Sequence, residues 1–344
     1  MKKYLLPQKG RFYKANLHCH TTLSDGNLTP EQVKEEYKSQ GYSVVAFTDH
    51  EIMVPHPELL DDEFLPLTGI ELAIHEHRAD GKRHQEKDFH ICAIALEPDN
   101  LNQPCFHRTK YIWGNASKQL DKIRYDENEP DFERTYDEEC INQMIRTCRE
   151  KGFFVIYCHP TWSFERYPDY IRYQNFHAME IYNNASYKVD GCAEYNPRVY
   201  EDFLFAGQRV FAVAADDNHN SFPKGTAEWD SGGGFIMIRA EKLEYRTITK
   251  ALEQGHFYAS FGPEIHTLWF EDGKIHVECS EVVRIICSKG CRRPDKRHGQ
   301  NGQTITEASF DVRPGDNWVR ITVMDAKGRC ADTNAYFTDE LFAE

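Results

Sequence analysis

From Lys14 to about Ala259 the chain alternates short apolar, β-rich runs with stretches of helical period, the pattern of parallel strands joined by helical crossovers. The clearest helix reads TPEQVKEEYKSQG. Thr29 caps it, Pro30 takes the first turn, Gln32 completes a capping box and Gly41 ends it. The strand-like run VVAFTDH follows at once. The unit recurs: a helix ending near Gly152 leads into FFVIYCHP, one ending near Gly207 into RVFAVAADDNH, and one ending near Gly255 into FYAS. This repetition predicts an α/β fold, either a β/α barrel or a layered sheet.

Two segments depart from the alternation. Residues 98 to about 136 are too long for an ordinary connection of about 4–6 residues and read as an insertion, helical in part at Ala116 to Tyr125. Such a segment either covers a site or is a surface excursion. After Gly262-Pro263 the pattern turns to alternating strands without helices, among them IHTLWF, IHVEC, VVRII and WVRITVMD, with a hairpin signal at Asp272-Gly273. The expected division is a barrel domain over 1–263 and a small all-β domain over 264–344.

Composition narrows the class. Hydrophobic residues make up 40% of the 344 and charged residues 28%, enough to build a sizeable core. The formal charge of −14 gives no overall attraction to nucleic acid or an anionic membrane. No run approaches 18 apolar residues, and the N-terminal MKKYLLPQKGRFYK lacks a hydrophobic signal core, so a cytoplasmic location is expected. Most of the eleven cysteines, such as Cys92 and Cys148, sit in apolar runs like small core residues and are expected to stay reduced. Cys287, Cys291 and His298 form the one tempting Cys/His cluster, but their spacing fits no zinc template well.

The chemistry lies at the ends of the apolar runs. In ANLHCHTTLSDG, His18 and His20 project from one face of an extended segment while Cys19 faces the other, so the two imidazoles can hold one ion. VVAFTDH, LTGIEL, FFVIYCHP and AVAADDNH each end in a metal-capable group: His50, Glu71, His159, and Asp217 with His219. In a parallel barrel the carboxyl ends of the strands share one rim, where residues distant in sequence converge. Burying such groups unpartnered costs several kcal/mol, and a cation cluster satisfies them together. His90, in KDFHICAIAL, is less regular, standing near the beginning of its run. The DxH spacing favours Asp217 over Asp216 as a ligand. Asp49 reads as an acceptor behind the ligands or as a turn residue, and His75, His77 and His84 as members of a solvated loop.

The set HxH, TDH, GIE, FH, CHP and DxH, in that order, resembles the polymerase and histidinol phosphatase (PHP) family over roughly residues 14–260. The resemblance implies a distorted seven-stranded β/α barrel with two or three divalent ions, zinc, manganese or iron. It implies that His18, His20, Glu71 and Asp217 hold one ion. Glu71 would bridge to a second held by His90 and His159, with a third on Asp25, His50 and His219. The stretch from GGGFIMIRAEK to FGPEI is similar to PHP proteins that carry a small β domain after the barrel. Those include phosphoesterases and carbaryl-hydrolase-like metallohydrolases.

The expected activity is metal-dependent hydrolysis of a small phosphate ester, a nucleotide among the candidates, with a nucleic acid entering only as a substrate end. Water acidified by the ions would be the nucleophile, and His159 or His219 would protonate the leaving group. Lys224, Arg134 and Arg166 are the candidates for contact with the phosphate. Arg292, Arg293, Lys296 and Arg297 read as a solvated loop. A carboxylic or carbamate ester hydrolase and a non-catalytic, metal-stabilised scaffold are the alternatives, and the oligomeric state is open.

Overall fold

The computed structural model describes residues 2–343. Strand β1 (Lys3–Tyr4) is followed by β2 (Arg11–Asn16), helix α1 (Pro30–Ser39), β3 (Tyr42–Phe47), β4 (Leu65–His75) and β5 (Asp88–Ala95). Then come α2 (Glu138–Glu150), β6 (Phe153–Tyr157), α3 (Tyr167–Tyr170), β7 (Ala178–Asn183), α4 (Asn184–Lys188), α5 (Pro197–Phe205) and β8 (Phe211–Ala215). The capping box expected on α1 forms, with the Thr29 side chain accepting from the Gln32 amide.

Strands β2 to β8 pair in chain order, and all but one run parallel. The exception is β5, antiparallel to both β4 and β6. Among the described residues no ladder joins β8 back to β2; a parallel bridge between Cys19 and Asn218 links the chain just beyond them. The strands are buried on both faces, which is why they read as continuous apolar runs rather than as alternation.

Past the last of these strands the chain forms β9 (Phe235–Ala240), α6 (Tyr245–Glu253), β10 (Phe257–Ser260), β11 (Ile265–Glu271), β12 (Lys274–Val282), β13 (Arg284–Ser288) and β14 (Asp295–His298). It ends with β15 (Ile305–Asp311), β16 (Trp318–Met324), β17 (Cys330–Thr333), β18 (Tyr336–Phe337) and α7 (Thr338–Leu341). The C-terminal region is β-rich and antiparallel, but the sheet does not stop at residue 263. Hydrogen bonding continues from β2 through β9, β10, β17, β16 and β13 to β14. A second sheet, in the order β1, β11, β12, β15, draws the chain's first strand into the C-terminal region. Ile265, Leu268, Ile275, Val277, Val319, Ile321 and Val323 fill a core between the two.

The inserted segment holds two short 3-10 turns, Gly114–Lys118 and Leu120–Lys122, where one helix was expected. Its apolar residues dock in small numbers: Ala116 and Ile123 pack on Ile52, with Phe106 and Tyr125 stacked beside them. Cys287 is buried in β13 while Cys291 and His298 are exposed, and the three do not gather into a ligating group among the described residues. All eleven cysteines are free. No helix among the described residues is long and apolar enough to cross a membrane.

Candidate metal centre

Beyond β2 the chain stays extended, placing the wholly buried His18 and His20 on either side of the bridged Cys19. Their Nε2 atoms lie 3.1 Å apart. Asp217 Oδ1 is 3.1 Å from His18 Nε2 and 3.0 Å from His20 Nε2, and Glu71 supplies oxygens at 3.2 Å to each. Four side chains from three distant parts of the chain therefore face one point. For ligand bonds of about 2.0–2.1 Å, the edges of a coordination shell measure roughly 2.9–3.4 Å, so the spacing suits a divalent ion held by nitrogen and oxygen.

Glu71 is the hub. His50 Nδ1 approaches Oε2 at 2.9 Å, and His90 Nδ1 and His159 Nε2 approach Oε1 at 2.8 and 3.3 Å. On the outer side, Asp25 lies 3.6 Å from His20 Nδ1, 3.6 Å from His50 Nε2 and 3.4 Å from His219 Nε2. The nine side chains named from the sequence thus occupy one neighbourhood. His159 reaches Glu71 and Asp217 but joins none of the tighter ligand groups.

The antiparallel course of β5 explains His90. A reversed strand presents its beginning, not its end, at the rim where the parallel strands finish. The β4–β5 register pairs Ala73 with His90 and His75 with Asp88, so Glu71 and His75 on one strand share a face with Asp88 and His90 on the other. His75 is accordingly not part of a solvated loop. It ends β4, its Nδ1 is 2.6 Å from Asp88 Oδ1, and both line the pocket. His77 and His84 lie outside it, in the connection between β4 and β5.

The outer nitrogens of several imidazoles are already engaged, which turns their inner nitrogens toward the centre. His18 Nδ1 is 2.8 Å from Glu180 Oε1, whose other oxygen accepts from the His159 amide. His219 Nδ1 donates to the Asp217 carbonyl at 2.9 Å, and His159 Nδ1 pairs with Ser163 Oγ at 3.2 Å. A donor proton on each outer nitrogen leaves a lone pair on Nε2, the form that binds a metal. His20 Nδ1, Glu71 Oε2 and His90 Nε2 are sealed from water without an aligned hydrogen bond. This donor set fits divalent cations.

Electrostatics agree with the geometry. Burial alone would lower the His18 and His20 pKa values, yet carboxylates led by Asp217 raise both well above 6.5. Burial would raise Glu71 and Asp217, but the surrounding imidazoles hold both below the usual carboxylate range. Protons and metal ions are alternative countercharges here, so metal binding would release protons. Backbone strain concentrates at the same place: His159, Asp217 and Glu51 have φ of 23°, 54° and 61°, conformations that cost on the order of 1–3 kcal/mol each.

Residues around the centre hold it in place. Asp49 accepts from the amides and hydroxyls of Thr21 and Ser24, tying down the turn between His20 and Asp25. Asp216 points elsewhere, accepting from the amides of Gly232, Gly233 and Gly234 and from Tyr37 Oη; burial pushes its pKa up to about 6 against these bonds. Gly234 is required there, since a Cβ would stand 2.3 Å from the Ala215 carbonyl oxygen.

The pocket over the cluster measures about 400 Å³, and Trp113 and Trp162 form part of its wall with Val189 and Asp190. Trp113 comes from the insertion, which therefore reaches the site. Lys224, Arg134 and Arg166 do not line the pocket. Lys224 pairs with Glu36 at 2.6 Å. Arg134 is buried on Glu51, with Nη1–Oε1 and Nη2–Oε2 at 2.6 and 2.8 Å. Arg166 sits over the Phe164 ring at the start of α3. Each cation already has its counterpart, which sequence spacing alone could not disclose. The residues missed were Glu180, Asp88 and the two tryptophans, and His75 was misread as a loop residue; Glu180 carried a signal, as a lone carboxylate inside the apolar run AMEIYN.

The PHP domain family model matches residues 16–185 of the chain. The match ends short of Asp217 and His219. Among solved structures, a two-domain protein from Bacteroides vulgatus containing a predicted PHP-like metal-dependent phosphoesterase is 14% identical. It covers 97% of each chain with a TM-score of 0.44. A candidate metal-dependent phosphoesterase from Bifidobacterium adolescentis is 14% identical over 66% of this chain and 92% of its own, with a TM-score of 0.39. An amidohydrolase from Chromobacterium violaceum, solved with sulfate and no metal, is 16% identical over 60% of this chain and 87% of its own, with a TM-score of 0.38. No curated protein matches the chain significantly.

Proposed function

We propose that this protein is a metal-dependent hydrolase of small phosphate esters. The observation that carries the reading is the inward turn of the imidazoles: outer nitrogens held by Glu180, Ser163 and the Asp217 carbonyl, inner nitrogens of His18 and His159 converging on Glu71 and Asp217 and that of His219 facing Asp25. His18, His20, Glu71 and Asp217 would hold one divalent ion. Glu71 with His90 and His159 would hold a second, and Asp25, His50 and His219 a third. Bound divalent ions supply Lewis acidity, which brings the pKa of water from 15.7 toward about 7 and polarises an ester oxygen.

The chain's own groups have separate tasks. Glu71 keeps the imidazoles gathered, and Glu180 holds His18 in the tautomer whose Nε2 faces inward. Trp113 and Trp162 restrict water on the open side and offer flat apolar walls to the alcohol portion of a substrate. His219 and His159, which packs edge-on against Trp162, both line the pocket, and whichever of them keeps its Nε2 off the ions, protonated, would give that proton to the leaving oxygen.

One feature of the pocket favours a second reading. Its lining includes no lysine or arginine among the described residues, so a phosphate would meet positive charge only from the ions and imidazoles. Hydrolysis of an uncharged carboxylic or carbamate ester by the same centre needs no such cation. Turnover of p-nitrophenyl phosphate and of p-nitrophenyl acetate, measured with zinc, manganese or iron(II) and again with chelator, separates the two. The first reading expects phosphate turnover that chelator abolishes; its absence with every metal, alongside metal-dependent acetate turnover, would establish the second.

A further inference from the structure

A cavity of about 870 Å³ lies away from the metal-centre pocket and shares none of its lining residues. It opens where the outward face of β2 and β9 meets the chain just past β10 and the turn between β16 and β17. Its size falls in the range of pockets that take small organic ligands. Helix α4 separates the two spaces: Asn184, Tyr187 and Lys188 face this cavity, while Ala185 and the following Val189 face the metal-centre pocket.

The walls carry an excess of positive charge. Lys14, Lys188, Lys327 and Arg329 line the cavity with Glu264; Arg329 is paired with Asp325 at 2.7 Å, which leaves the three lysines in excess, in a chain whose formal charge is −14. Lys14 is the telling one. Its ammonium lies over the rings of Tyr42 and Phe235 at 4.1 and 4.4 Å, and its one hydrogen bond is a 3.3 Å contact with the Gln40 carbonyl. The nearby Asp216 carboxylate is taken up by the three glycine amides and Tyr37. A half-buried cation short of an anionic partner costs free energy that an anion in the cavity would recover. Beside these charges stand aromatic rings. Phe261 stacks on Tyr182 at 4.3 Å with planes 14° apart, and Tyr195 meets Phe261 edge-on at 5.1 Å.

We propose that this cavity binds a small anion bearing a planar ring, of the nucleoside monophosphate class, with Lys14 and Lys327 on the anionic group and Phe261 and Tyr182 beside the ring. The test is calorimetric titration of the full-length, metal-retaining protein with adenosine 5′-monophosphate, and with adenosine as the uncharged control. The proposal expects saturable binding of the monophosphate, and adenosine and the Lys14→Met and Lys327→Glu variants each weaker by about tenfold or more, as loss of a charge-assisted contact requires. Lys327 is exposed, so its reversal decides the matter even where Lys14→Met does not fold. No binding at millimolar monophosphate, or binding that Lys327→Glu leaves within about twofold, would overturn it.

Discussion

Arg134 separates a substrate-binding role from a structural one, because both were open from its sequence position and the structure assigns its contacts. The guanidinium makes two short bonds to Glu51, donates to the Ala73 carbonyl at 2.8 Å and lies 3.4 Å from the Cys105 carbonyl. Glu51 in turn accepts from the Ala73 amide at 3.0 Å, and its own amide donates to the Glu71 carbonyl. The pair therefore joins the insertion to β4 beside His50. Both side chains are only 3–4% exposed. At an effective dielectric near 20, two unit charges about 4 Å apart attract by roughly 4 kcal/mol. Breaking such a buried pair from one side costs about 3–5 kcal/mol, because the other charge stays behind uncompensated. Arg134→Met should lower unfolding free energy in urea by that amount, and Arg134→Met combined with Glu51→Gln should recover about half by removing the stranded charge. Where Arg134→Met remains folded, KM for p-nitrophenyl phosphate should stay within about threefold of the parent, since no substrate contact is lost. A stability loss under about 1 kcal/mol with a KM more than tenfold higher would refute the assignment and return Arg134 to the substrate.

Two further outcomes follow from named contacts. Glu180→Gln keeps the shape of the group behind His18 but removes its charge, and should weaken metal affinity by about 10–100-fold in a chelator competition; unchanged affinity would show that Glu180 does not orient His18. His177 Nδ1 accepts from the Val155 amide, and burial with Arg149 nearby depresses its pKa from 6.5 to about 3. Because the folded ring stays neutral while the unfolded one gains a proton below pH 6.5, stability should fall as pH drops from 6.5 toward 3. His177→Asn, which retains an acceptor, should lose less than the parent between pH 7 and pH 5 by about 1–2 kcal/mol in urea unfolding; identical pH slopes would contradict this.

The alternation of strands and helices was legible because parallel strands buried on both faces give unbroken apolar runs, and most of the candidate ligands stand where those runs end. Strand direction was not legible. Periodicity is the same in either sense, so His90 looked misplaced until β5 proved to run backwards, and for the same reason His75 was assigned to a loop and Asp88 went unnoticed. Glu180 was hidden by its apolar neighbours. Lys224, Arg134 and Arg166 were misjudged because nearness along the chain to a ligand motif says nothing of the partner waiting in space: Glu36, Glu51 and the Phe164 ring. The limit drawn at residue 263 followed the change from helices to hairpins, but sheet pairing between β10 and β17 crosses it.

The measurement that bears most directly on the metal centre is the metal content of the purified full-length protein by mass spectrometry, joined to anomalous diffraction at the zinc, manganese and iron edges. Two to three divalent ions per chain are expected, with a peak among His18, His20, Glu71 and Asp217 that is lost in Asp217→Asn. Protein that takes up no ion after incubation with each metal, with no anomalous peak among those four side chains, would contradict this.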